Sequence, residues 1–113
     1  MNIEDMQQSA GEAADFLRSL ANEKRLMIVC QLLGGEKSVG ELCDLLDVRQ
    51  SSMSQQLALL RLEGIVTTRK EAQTVYYSLA NEGAKQVIEV LHGMFCADLK
   101  PGRKPARRKQ LAG

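Results

Sequence analysis

No tryptophan occurs among these 113 residues, and two tyrosines and two phenylalanines are the whole aromatic complement. The core must then come from Leu, Val, Ile, Met and Ala, a set that suits packed helices and one domain of modest size. No run is long and apolar enough to span a membrane. The opening residues, MNIEDMQQSAGEAADF, are acidic and polar where a signal peptide needs a basic start and an apolar stretch. A cytoplasmic location is therefore expected. The three cysteines, Cys30, Cys43 and Cys96, lie far apart. An odd count without an export signal argues against a disulfide framework, and no CxxC pair is present for metal or redox chemistry. A Gly-rich phosphate loop and a clustered nucleophile and base are also missing, so no enzyme activity and no cofactor are expected.

The formal net charge of +1 conceals a separation. Residues 98–113 carry Lys100, Arg103, Lys104, Arg107, Arg108 and Lys109 against Asp98, a net of +5, and the other 97 residues sum to −4. A near-neutral chain with segregated basic groups is compatible with nucleic-acid binding.

Ser38 to Glu63 reads as two short helices joined by a tight turn. Val39, Leu42, Cys43 and Leu46 share one helical face, and Ser38 with Glu41 makes a capping box. The turn spans Asp47 to Gln50. The second helix sets Met53, Leu57 and Leu60 inward, with Ala58 near that face. Its first turn (Gln50, Ser51, Ser52, Ser54 and Gln55) is polar but not strongly charged. Such side chains at a helix start can reach base edges and phosphates, and Arg49 just before it suits a backbone phosphate. A helix-turn-helix puts its second helix in the major groove in this way. An ordinary helix pair with a soluble end fits these residues too when they are taken alone.

Around this unit, residues 1–9 read as a flexible N-terminus. Ala13, Phe16, Leu17 and Leu20 mark a first helix. Asn22 caps a second, with Arg25 in its first turn, Leu26, Val29, Cys30 and Leu33 as its apolar face, and Gly34–Gly35 as its end. Gly64 suits the end of the second helix of the central pair. The period then becomes alternating. Residues 65–69 and 74–79 form two strands about a polar tip, Glu71-Ala72-Gln73. Arg69 and Lys70 lie near that tip, placed for phosphate or minor groove if the hairpin is a wing. Asn81 opens a last helix with Val87, Ile88, Leu91, Met94 and Phe95 on a broad apolar face.

The fold expected is mainly α with one β-hairpin, a winged helix-turn-helix in the order ααααββα, occupying residues 10–97. The first and last helices, left partly exposed, pair with a second copy. Residues 98–113 form a basic disordered tail that either adds salt-sensitive phosphate attraction or only solubilises the chain.

Several stretches resemble the ArsR/SmtB family of bacterial winged-helix repressors. They are Phe16-Leu17, Ala21 to Leu26, Ser38 to Leu42, Ser54 to Leu57 with Leu60-Arg61, and Thr67 to Tyr77, which includes Gln73. The resemblance covers roughly residues 13–97 and implies a homodimer that binds double-stranded operator DNA and releases it on an inducer signal. Metal-sensing members often carry ELCxC in the helix beginning at Ser38. Here Glu41-Leu42-Cys43-Asp44-Leu45 has one cysteine, and the last helix offers His92, Glu89 and Glu82 without a second histidine.

The contexts of Cys30 and Cys96 are similar to those of the thiol-based members, the BigR, SqrR and HlyU types. That likeness implies that Cys30 and Cys96 are a sensing pair, bridged as a disulfide or polysulfide by reactive sulfur or oxidants, with loss of DNA affinity. The residues themselves leave alternatives. Cys43 and Cys30 lie on apolar faces, where a free cysteine usually packs as a small hydrophobe. Cys96 aligns with Lys85, Glu89 and His92, a polar stripe that would expose its thiol. A metal-responsive repressor using Cys30, Cys96 and His92 is the runner-up. A regulator that activates by displacing a silencing protein is another.

Overall fold

Every helix start but one is fixed by a short polar side chain. In the computed structural model, which describes residues 2–96, Asn2, Asn22, Ser38 and Asn81 accept backbone N–H bonds at the starts of α1 (Ile3–Leu20), α2 (Glu23–Leu32), α3 (Val39–Leu46) and α5 (Glu82–Phe95). The capping box forms as expected: Glu41 N–H donates to Ser38 Oγ at 3.1 Å, and Ser38 N–H donates to Glu41 Oε1 at 2.9 Å. The remaining helix, α4 (Gln50–Leu62), begins at Arg49 with no side-chain cap.

Residues 3–9, expected to be flexible, are helical instead. Asn2 Oδ1 accepts from Asp5 N–H at 2.8 Å, and Glu4 and Asp5 put negative charge in the first turn, where the helix dipole favours it. The expected tail, residues 98–113, lies outside the described residues.

The helix-turn-helix has sharp internal stops. Asp47 ends α3 in the left-handed conformation at φ 54°, which a short polar side chain tolerates. The α4 helix ends in a Schellman motif. Gly64 at φ 75° donates to Arg61 O at 3.0 Å, and Ile65 donates to Leu60 O at 2.9 Å. Leu60 and Ile65 are both fully buried, supplying the apolar contact that accompanies this motif.

The wing is three-stranded. β2 (Val66–Glu71) and β3 (Thr74–Leu79) pair antiparallel from Val66↔Leu79 to Glu71↔Thr74. A short strand β1 (Lys37–Ser38) adds on the other edge of β3, giving the order β1-β3-β2. The hairpin loop is Ala72-Gln73, and Ala72 holds a positive φ of 54° where glycine is the usual occupant.

Leu42, Met53, Leu57 and Leu60 lock α3 and α4 together, and Ile28, Val29, Leu32 and Ile88 join α2 and α5 to them. The buried face of α2 is rotated from the one expected: Ile28, Val29, Gln31 and Leu32 are buried, and Leu26, Cys30 and Leu33 are half-buried. Ala58, expected near the apolar face of α4, is exposed.

Candidate nucleic-acid interface and cysteine pair

The outer face of α4 is uniform in chemistry. Gln50, Ser51, Ser54 and Gln55 are exposed, Ser52 is half-buried, and the first turn contains no acidic residue. Ser51, Ser54, Gln55 and Ala58 follow the i, i+3, i+4, i+7 spacing of one helical stripe, opposite buried Met53, Leu57 and Leu60. Arg49 is exposed at the N-cap, with φ −65° and ψ 147°. The leading N–H groups of α4, uncapped by any side chain, and the Arg49 guanidinium make a setting for a backbone phosphate.

The wing residues separate into two kinds. Lys70 and Gln73 are exposed, Lys70 on β2 and Gln73 at the tip. Arg69 is exposed but engaged. Its Nε donates to Glu36 Oε2 at 3.1 Å, its Nη2 to Glu36 Oε1 at 2.5 Å, and its Nη1 to Glu71 Oε2 at 2.8 Å. The guanidinium also lies over the Tyr76 ring, 4.8 Å from its centre. Hydrogen bonding to Glu36 and then Glu71 raises the Arg69 pKa, and bonding to Arg69 lowers that of Glu36. A phosphate at Arg69 therefore competes with Glu36 and Glu71 for its donors. Glu36 was not legible as its partner, because 33 residues separate them and the short strand β1 that brings them together has no sequence signature.

Among the described residues, the first and last helices leave apolar side chains exposed. On α1, Ile3, Met6, Ala10, Ala13 and Leu17 are exposed at alternating steps of three and four residues, the spacing of a coiled-coil seam. On α5, Val90, Met94 and Phe95 are exposed, Phe95 at 75%.

Cys30 lies on α2 and Cys96 caps the end of α5, which packs against α2; both thiols are half-buried and free. Burial first, and the Cys96 charge second, push the Cys30 thiol above its ordinary pKa. Cys96 is less open than its helical stripe implied. The helix ends at Phe95, and Cys96 leaves it at φ −134° with its N–H donating to His92 O at 2.7 Å. Cys43 is half-buried on α3, with its pKa raised by burial and by Asp44. Among the described residues no three His, Cys, Asp or Glu side chains form a group able to hold a metal ion. No helix among those residues is long and apolar enough to cross a membrane.

Comparison with known proteins agrees with this architecture. The family model described as "Bacterial regulatory protein, arsR family" matches residues 22–68. The transcriptional activator HlyU of Vibrio cholerae is 49% identical over 96 residues, 85% of this chain and 89% of that one. The structure of its reduced form superposes with a TM-score of 0.79, covering 83% of this chain and 99% of that chain. The biofilm growth-associated repressor of Agrobacterium fabrum is 50% identical over 92 residues, 81% of this chain and 79% of that protein. The structure of the transcriptional repressor BigR of Xylella fastidiosa is 42% identical, with a TM-score of 0.79 over 88% of this chain and 98% of that one. Helix-turn-helix, wing and these likenesses over most of the chain agree: the chain belongs to the ArsR family, as a DNA-binding transcriptional regulator of the winged-helix type and not an enzyme.

Proposed function

We propose that this regulator is a homodimeric repressor that releases its operator when Cys30 and Cys96 are joined by a disulfide or polysulfide bridge. The observation that carries this reading is the packing of α2, which holds Cys30, against α5, which ends at Cys96, with both thiols free. The bridge would tie α5 to α2. The coiled-coil spacing on α1 and the apolar end of α5 support pairing with a second copy through those helices, with Ala10 and Ala13 allowing close approach. Each copy reads one half-site with Gln50, Ser51, Ser52, Ser54 and Gln55. Arg49, Arg69, Lys70 and Gln73 hold the flanking backbone. Two such helices must match half-sites about 34 Å apart or a multiple of that, so a modest shift of the dimer helices against the core lowers affinity.

The chemistry balances without a further oxidant when the inducer is an organic persulfide. The Cys96 thiolate attacks the outer sulfur of RSSH, leaving Cys96–SSH and releasing RS⁻. The Cys30 thiolate then displaces HS⁻ from the inner sulfur to give the disulfide. When both cysteines are persulfidated, the same displacement leaves one extra sulfur in the bridge.

A second reading concerns the sign of regulation. One relative is named an activator and another a repressor. Operator release is common to both. Activation follows where the operator overlaps the site of a silencing protein. Reconstituted transcription with and without such a silencer separates the two.

Intact-mass measurement after treatment with an organic persulfide, glutathione disulfide or peroxide, each followed by operator titration, tests the switch. A Cys30–Cys96 crosslink accompanied by lost affinity is expected. Full affinity in the crosslinked protein would overturn the proposal.

A further inference from the structure

Three helices meet at one guanidinium. Arg25, in the first turn of α2 and half-buried, donates from Nε to the Ser19 carbonyl at 2.6 Å and from Nη1 to Gln56 Oε1 at 3.3 Å. Its own backbone N–H donates to the Asn22 side chain at 3.2 Å. Ser19 lies in the last turn of α1, where carbonyls have no partner within the helix and the dipole favours a cation. Gln56 is half-buried on α4, adjacent to Gln55 on its exposed face.

Leu20 at the end of α1 shares the apolar core with Leu57 and Leu60 of α4, and beside that core the packing opens. An open cleft of about 440 Å³ lies between the end of α1 and the C-terminal half of α4, lined in part by Asp15, Arg18, Arg25, Leu59 and Glu63. At this cleft α1 and the reading helix are bridged by a planar group with fixed donor directions, which resists rotation better than a flexible ammonium would.

We propose that Arg25 is a positioning residue that sets the angle of the reading helix against the dimer helix and so selects the half-site spacing the dimer accepts. The proposal rests on the reading in which α1 pairs with a second copy and α4 reads the groove. Arg25 needs no contact with DNA for this role.

The test uses the full chain and a duplex selected by it from a randomised pool, together with versions in which one base pair is inserted or deleted between the half-sites. Affinities are measured for the parent, R25A, R25K, Q56L, Q56E and the R25A/Q56L double variant. R25A and Q56L should each lose about tenfold on the selected duplex, and the double variant should lose no more than either alone. The preference for the selected spacing should collapse in all three. Binding to nonspecific DNA and its salt dependence should not change. Q56E, whose carboxylate still accepts from the guanidinium, should keep the spacing preference, and R25K should keep it only in part.

Retention of the spacing preference by folded R25A, or by Q56L if R25A does not fold, would overturn the positioning role. So would additive losses in the double variant. A parent that is monomeric, or indifferent to spacing, would instead overturn the dimeric-operator reading, and the positioning role with it.

Discussion

Arg69 lies over Tyr76, its direct cross-strand partner on β3, and reaches past it to grip Glu36 with both Nε and Nη2. The side chain crosses the sheet from β2 to the segment just before β1. In the proposed reading, a DNA phosphate competes with Glu36 for this guanidinium. An exposed pair of this kind is weak, and a phosphate that also releases counterions can replace it.

Glu36→Gln and Arg69→Ala should therefore move operator affinity in opposite directions. Glu36→Gln removes the competitor and raises affinity about threefold at low salt. Arg69→Ala lowers affinity for every sequence and reduces the salt slope by about one per protomer. Fluorescence-anisotropy titration across a salt series measures both. An unchanged slope in Arg69→Ala would mean that the guanidinium stays with Glu36 and Glu71 on DNA.

Ser54→Ala and Gln55→Ala act on the reading face itself. Both residues are exposed, so their removal leaves the core of Met53, Leu57 and Leu60 intact. Each should cost about 1–3 kcal/mol of specific binding and little nonspecific binding. Competition between operator and random duplex gives the ratio. Equal losses on both would remove base reading from these side chains.

The helix-turn-helix was legible because its signals are local and redundant: a capping box at Ser38 and Glu41, a polar first turn after Arg49, and glycine at position 64. The hairpin was legible from β-branched alternation on both sides of Ala72-Gln73. The buried face of α2 was not. From Leu26 to Leu33 the helix is apolar at every position except Gln31, so periodicity cannot choose a side, and packing against α3, α4 and α5 decided for Ile28, Val29 and Leu32. The strand β1 was missed because two residues, Lys37 and Ser38, carry no alternation, and Ser38 already explained itself as a cap. The bonds made by Arg69 and Arg25 join segments 33 and 31 residues apart, beyond the reach of any local pattern.

Leu17→Glu tests the dimer. Leu17 is 56% exposed on the seam of α1, so the change leaves the folded core of a single chain undisturbed. Facing a second copy, it buries a carboxylate without a partner, a penalty of several kcal/mol. Sedimentation equilibrium should show a folded monomer, and operator affinity should fall toward the nonspecific level. A dimeric Leu17→Glu protein would place the interface elsewhere.

The unequal surroundings of the cysteines predict the order of their reaction. A raised pKa means a smaller thiolate fraction at any pH, and the thiolate is the nucleophile, so Cys30 is the disadvantaged thiol near neutral pH. Its alkylation should speed up as pH rises, with a midpoint above that of an ordinary cysteine. In Cys96→Ser the neighbouring charge is gone and burial remains. The midpoint for Cys30 should fall without reaching the ordinary value, because burial is the larger cause. The same logic gives the sensing step a direction. Cys96 reacts first, and Cys30, the more weakly ionised thiol, follows to close the bridge. Site-resolved mass spectrometry at short times should find the first persulfide on Cys96 in the parent, and Cys30→Ser should accumulate it there uncrosslinked. A first modification on Cys30 would reverse the order, and an unmoved midpoint in Cys96→Ser would remove Cys96 as a cause of the Cys30 shift.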